Sequence, residues 1–447
     1  MPYSPLGENC HLTGQQTFIA RGVLGIATAA ISVFAVSNGW LRRLPSTRFD
    51  RLASSAFLFS RLGLYFVVFL AAHIAPRGDV PSYYLPEAAS VLHGLLPYRD
   101  FYSSYAPLHP YLDAIPASLW HSPLSIILFA ILAESLLLPL WFRFGRRFLT
   151  EAELRSGAIL YVTSAVSLQF VTIDGQDTVM IAVLLTLSLL LLTVRREVLS
   201  GISVGASIAA IKFLPVLFVP AFFFVIPRRW RWALGFLLPI AAVYGVAIGI
   251  HLPILEPVYK EGSIRSAGNL PYLIETLCGI SLPSSLWDGL LIAAFVIIVS
   301  VAVHTARSAT PATRLRILAF SIAAITLALL LFSKKSWPPY LMLGLFPICL
   351  LIDETSRLHI SLFAVLNVFA VLEHSYWATF LHQLSSLELH QGLSSLQSNC
   401  FVLLALQITI LGCYGWLLTL SLRQIGGAPQ YSRQAYDSKS DMVAIEV

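Results

Sequence analysis

The sequence predicts an all-α integral membrane protein of about 11–13 transmembrane helices with a folded first external loop. Three observations predict it. First, of 447 residues 57% are hydrophobic and only 12% charged, with a mean hydropathy of +0.76. Soluble domains carry about 25% charged residues, and their cores stop growing at roughly 250–300 residues. The apolar surplus must face lipid, which excludes a cytosolic enzyme, a disordered chain and a nucleic-acid-binding module. Second, the apolar residues fall in runs close to the roughly 20 residues a membrane helix needs. Third, Lys and Arg gather in alternate connecting segments, so the net charge of +6 reads as a topology signal.

The expected spans are 22–41, 52–75, 123–142, 158–173, 178–194, 232–250, 286–306, 317–333, 339–352, 359–377 and 399–420. The stretch 199–226 is too long for one span and too short for two. It holds Lys212 near its middle with Pro215 and Pro220 after it, and basic residues flank both ends. These features predict a hairpin of two half-helices with Lys212 at its apex, packed in protein or lining a cavity. The segments 42–51, 143–157, 195–197, 227–231, 307–316, 353–358 and 421–447 carry 20 Lys/Arg against 9 Asp/Glu. The opposite side, with the adjoining span ends, carries 7 against 13. The N-terminus is therefore expected outside and a polar, disordered tail (424–447) in the cytoplasm. Residues 1–423 form one multispan domain with two long external loops, 76–122 and 251–285, and a shorter one at 378–398.

The five cysteines form no CxxC and no zinc-like spacing; a disulfide between Cys278 and Cys400 is left open. Residues 1–14 hold Glu8 and two prolines, so no cleavable signal peptide is expected. Arg61 and Glu134 lie at matching depths in neighbouring antiparallel spans and predict a buried structural ion pair.

The first external loop is dense in aromatic, acidic and turn residues. Asp79 follows directly on a span, where partial desolvation makes a carboxylate a better base; equally, it could cap a helix starting near Pro81. Lys212 is an intramembrane cation, which is functional by default or paired with Asp174 or Asp177. Lys334 and Lys335 lie at a span end, as an anion site or as interface residues. Most histidines fall outside, of which His109 and His374 should lie near the outer cavity, and no metal-binding spacing occurs. Tyr83, Tyr84, Tyr98, Tyr102, Tyr105, Trp337 and Tyr340 could stack on sugars or form an interfacial aromatic belt.

The run Asp79, Tyr83, Glu87-Ala88-Ala89, Gly94, Pro97-Tyr98-Arg99-Asp100-Phe101, Tyr105, Pro107-Leu108 resembles the first external loop of the glycosyltransferase-C superfamily. Ile173-Asp174-Gly175-Gln176-Asp177 and Gly201…Gly205…Ala210-Ile211-Lys212-Phe213-Leu214-Pro215 resemble family 87, which contains polyprenol-phosphate-mannose-dependent α-mannosyltransferases. The resemblance covers about 75–230 well and 330–350 loosely. It implies a glycosyltransferase-C fold in the plasma (inner) membrane, with the active site on the extracytoplasmic face. It implies transfer with inversion from a polyprenyl-phosphate sugar to a glycolipid or glycan acceptor, without cofactor or metal. Asp79 matches the family's general base. Lys212 with Lys334 or Lys335 would hold phosphate; Asp174, Gln176 and Asp177 would line the sugar site; Arg99, Asp100, Tyr83, His109 and His374 are further substrate-binding candidates. Where related branches place a second acid after the aspartate, this chain has Val80, which favours a single base with Asp100 or Glu87 as possible partners. The rival readings are a polyprenyl-lipid or solute transporter, which should show pseudo-repeats, and a non-catalytic scaffold for envelope assembly.

Overall fold

The computed structural model describes residues 11–38, 41 and 43–443, with backbone alone from 428. Among these residues every regular element is helical. Eight helices are long and apolar enough to cross a membrane: Gly14–Ser37, Ser46–Ala71, Pro123–Gly145, Arg229–Gly249, Ser284–Ala306, Pro311–Phe332, Arg357–Phe380 and Ser398–Gly427. Counting the bent pair Glu151–Val162 and Ala165–Ile173, which turns by 41°, gives nine. The protein is a multi-pass membrane protein.

The count falls short of 11–13 because two expected spans, 178–194 and 339–352, are short or broken, and the 199–226 hairpin adds no full span. Residues 178–194 form a 16-residue helix, Thr178–Thr193. Residues 339–352 form a 3₁₀ turn, Pro338–Leu343, and a five-residue helix, Leu345–Cys349. Residues 199–226 form the expected hairpin: Glu197–Ala210, a break, a 3₁₀ turn Leu214–Phe218, and Val219–Val225. Prolines at the starts of Leu214–Phe218, Val219–Val225 and Pro338–Leu343 cannot donate a backbone hydrogen bond and set those breaks. All three lie against protein, where broken backbone finds partners.

Helix ends follow local chemistry. Thr13 and Gln16 form a capping box that starts the first helix at Gly14, eight residues before the expected boundary. Arg21 thus lies inside that helix and not in an external segment. Thr310 caps the Pro311–Phe332 helix, whose apolar window is 94% buried. This helix is hydrophobic all round because other elements surround it.

Glycines set the hairpin against the next span. A Cβ on Gly201 would lie 2.0 Å from the Trp232 carbonyl oxygen, one on Gly205 2.3 Å from that of Phe236, and one on Gly235 2.0 Å from that of Val198. The two backbones touch through these hydrogens, as small-residue crossings in membranes do.

Arg61 and Glu134 are both fully buried and meet at one depth, but through intermediaries. Arg61 Nη2 donates to Ser167 Oγ at 2.6 Å, and Ser167 donates to Glu134 Oε1 at 2.5 Å. Tyr161 also donates to Glu134, at 2.7 Å, while its carbonyl and that of Val162 accept from Arg61. Cys278 and Cys400 are free thiols, so the open disulfide is not formed. The last helix continues along its backbone to Val443, into the expected tail; side chains from 428 and residues 444–447 lie outside the described residues.

Candidate functional site

The residues that the sequence singles out gather at one end of the bundle, where the first long loop meets the hairpin apex. Two main-chain hydrogen bonds fasten them: Ala106 N to Ile211 O and Leu108 N to Ala209 O, both 3.2 Å. The loop thus satisfies carbonyls freed where the hairpin breaks.

Asp79 opens a short π-helical turn, Val80–Tyr84, yet its side chain makes no cap hydrogen bond. Instead Gln176 Nε2 donates to Asp79 Oδ2 at 2.9 Å, and the half-buried carboxylate keeps its other oxygen unengaged among the described residues. Gly175 makes this pairing possible. Its φ of +65° is left-handed, and a Cβ there would lie 2.6 Å from Val80 Cγ2 and 2.8 Å from Ile127 Cγ1. Only glycine gives both the turn and the approach of the residue following Asp79.

Asp177 is the hub. Lys212 Nζ meets its Oδ1 at 2.5 Å, Tyr84 donates to the same oxygen at 3.1 Å, and His109 Nε2 lies 2.9 Å from Oδ2. The histidine contact is out of line with the N–H direction, so it acts as a charge contact. On its far side His109 Nδ1 lies 3.5 Å from Asp113, one helical turn along. His109, Asp113 and Asp177 are 0, 1 and 2% exposed, so these charges see little water. The Tyr105 ring stacks on His109 at 4.3 Å and lies 5.2 Å from Lys212 Nζ. Tyr98 donates to the Tyr105 carbonyl and steadies it from the loop.

The electrostatics follow from burial and pairing. Burial pushes the Asp177 carboxyl up, but Lys212 and His109 outweigh it and hold it below the usual carboxylate range. Burial pushes His109 down, but Asp113 and Asp177 overcome that and favour the imidazolium. Burial raises Asp113 to about 6, against the opposing pull of His109. Glu87 is likewise raised by burial, to about 7, despite the hydrogen bond from Ser103 at 2.7 Å.

Asp174 turns away from this hub. Arg21 meets both its oxygens at 3.2 Å, and Gln169 donates at 3.1 Å. The three candidate phosphate-holding lysines are each paired with a carboxylate: Lys212 with Asp177, Lys334 with Asp288 at 2.9 Å, and Lys335 with Glu261. Adjacent Lys334 and Lys335 therefore diverge. Glu261 also accepts from Ser104 of the first loop at 2.9 Å, which ties Lys335 to the Asp79 side.

Other candidates lie elsewhere. Arg99 and Asp100 pair with each other at 2.9 Å, with Arg99 60% exposed, and Asp100 also caps the turn at Leu96. Tyr83 is exposed. His374 packs against Trp337 and Trp377 and not against the Asp79–Gln176 pair. Tyr84 and Tyr105 are packed into the hub, whereas Tyr102 lies at the surface under Lys260. The sequence reading missed Asp113, Arg21 and Glu261. The i, i+4 spacing of His109 and Asp113 is the one local signal that could have found any of them.

No family model matches the chain, and no curated protein matches it.

Proposed function

We propose that this protein is a membrane glycosyltransferase of the glycosyltransferase-C type. It moves a sugar, mannose by the resemblance to family 87, from a polyprenyl-phosphate donor to a lipid-linked or envelope glycan acceptor. The reaction runs with inversion at the extracytoplasmic face of the plasma membrane. The observation that carries the reading is the Asp79 carboxylate, held at one oxygen by Gln176 and free at the other, beside a cluster of buried charge.

In this reading Asp79 accepts the acceptor hydroxyl's proton as that oxygen bonds to the anomeric carbon. The bond from that carbon to the phosphate oxygen breaks with its electron pair, and polyprenyl phosphate departs. Gln176 orients Asp79. Lys212 and Lys335 are the cations on this side, and each would share its carboxylate partner with the departing phosphate. Asp177, Lys212 and His109 hold the floor of the site rigid, which matters because misplacement by about 1 Å can cost a hundredfold in rate.

The test uses purified protein in lipid nanodiscs with radiolabelled polyprenyl-phosphate mannose and a membrane glycolipid extract. Asp79→Asn keeps size and the Gln176 contact but cannot take the proton, so transfer should fall about 10²–10⁴-fold with the unfolding midpoint unchanged. Transfer that survives in Asp79→Asn rejects the base. Wild-type protein that moves no sugar from any polyprenyl-phosphate donor rejects the enzyme.

A further inference from the structure

A cavity lies among residues outside the Asp79 cluster. It measures about 430 Å³, and its walls come from the loop around 265–287, from Lys334, and from 377–387. Its volume is within the roughly 300–1,000 Å³ of small-molecule sites. None of the chemistry described above uses it.

Its walls are built around one buried carboxylate. Glu275, 2% exposed, accepts from Arg265 at 3.0 and 3.1 Å, from Leu282 N at 3.0 Å, from Trp287 Nε1 at 3.2 Å and from Ser386 Oγ at 2.9 Å. Four separate stretches of chain thus converge on a single group. The second cation of the wall, Lys334, is neutralised by Asp288. Three aromatic side chains, Tyr272, Trp287 and Trp377, complete the lining. Their polar atoms are tied back: Trp287 to Glu275, and both Tyr272 and Trp377 to the Leu384 carbonyl, at 2.7 and 2.9 Å. They therefore give the cavity hydrocarbon ring surface, while Ser281, Gln383 and Ser385 give it uncharged polar groups.

We infer that this cavity binds a neutral saccharide, one or two hexose units of the glycan acceptor. Ring surface alternating with uncharged donors and acceptors matches the C–H faces and hydroxyl rims of a sugar. An anion is a poorer match because both wall cations already have carboxylate partners. The Ser333–Ser336 segment makes the connection: Lys334 belongs to this cavity, and Lys335 reaches Glu261 on the Asp79 side. An acceptor held here would approach the reacting end across two adjacent residues. The role as acceptor site rests on the transferase reading; the saccharide binding does not.

The test is isothermal titration of the full-length protein in nanodiscs with α-1,6-mannotriose and with maltotriose. Ser281→Phe and Leu387→Phe, both at exposed lining positions, fill the cavity from opposite walls, and size-exclusion elution checks their folding. At least one trisaccharide should bind wild type, and each variant should weaken it about tenfold or more. Gly245→Ala, with nothing within 4 Å of its added methyl, should bind like wild type. The inference is overturned if neither sugar binds, or if either filled variant binds normally. It is also overturned if dodecyl phosphate, and neither sugar, binds in a way the filled variants block. Wild type that binds sugar but transfers none supports the cavity and rejects the transferase.

Discussion

Lys212→Met removes the ammonium 2.5 Å from Asp177 and leaves a side chain of similar length. Asp177 is 2% exposed, so water cannot replace the lost partner. Stranding one member of a buried pair costs about 3–5 kcal/mol. The lower end applies, because Lys212 is itself 15% exposed and His109 still faces the other carboxylate oxygen. The expected loss is therefore about 3 kcal/mol, seen as a drop of several degrees in the unfolding midpoint in nanodiscs. Asp177→Asn removes the stranded charge, so Lys212→Met/Asp177→Asn should lie within about 1 kcal/mol of Asp177→Asn alone. A normal midpoint for Lys212→Met, or a double variant as unstable as the sum of the singles, would refute the pairing. Transfer assays on the same proteins separate a second role. A lysine that also holds phosphate leaves the double variant stable but with a raised KM for the donor.

Three further outcomes follow. Glu87 holds a proton in the folded state up to about pH 7, against 4.5 ordinarily. Stability linked to it is therefore present below pH 4.5 and lost as pH rises toward 7, by at most about 3 kcal/mol. Glu87→Gln should equal wild type at pH 4.5 and exceed it at pH 8; equal midpoints at both would contradict this. Gly201→Ala drives a methyl into the Trp232 carbonyl and should cost about 3 kcal/mol or more, whereas Gly245→Ala, with nothing within 4 Å, should be silent. Similar expression of the two variants would count against the close crossing. Arg61→Met and Glu134→Leu should each destabilise by about 3–5 kcal/mol and the pair by less. Exchanging the two charges should not rescue, because a carboxylate at 61 would face the Tyr161 and Val162 carbonyls; a rescued exchange would show that the residues touch directly.

The membrane class was legible because lipid demands it of composition, and eight spans were legible because each is a mainly apolar run of about the length a membrane helix needs. The hairpin at 199–226 was legible too: an odd length, two prolines and flanking arginines admit few folds. Residues 339–352 misled because a buried broken segment and a span have the same hydropathy. The first helix began early because its start depends on the Thr13–Gln16 cap, not on where charge first appears. At the site, Asp79, Gln176 and Asp177 were legible as polar residues at span ends, and Lys212 as a charge inside an apolar stretch. Arg21 and Glu261 were not, since Arg21–Asp174 and Glu261–Lys335 join residues far apart in the chain. The saccharide cavity gave no signal, because its centre, Glu275, draws ligands from 265, 282, 287 and 386.

The clasp from Ala106 and Leu108 to the hairpin apex also bears on biogenesis. The hairpin emerges from the ribosome more than ninety residues after the loop that completes it. With the loop outside, as the basic residues predict, it would cross the bilayer first, and the hairpin would enter later from the other side and dock on it. Until it docks, the carbonyls of Ala209 and Ile211 lack these partners. A chain stalled before residue 197 should therefore expose the loop to an added protease, and release past 226 should close it.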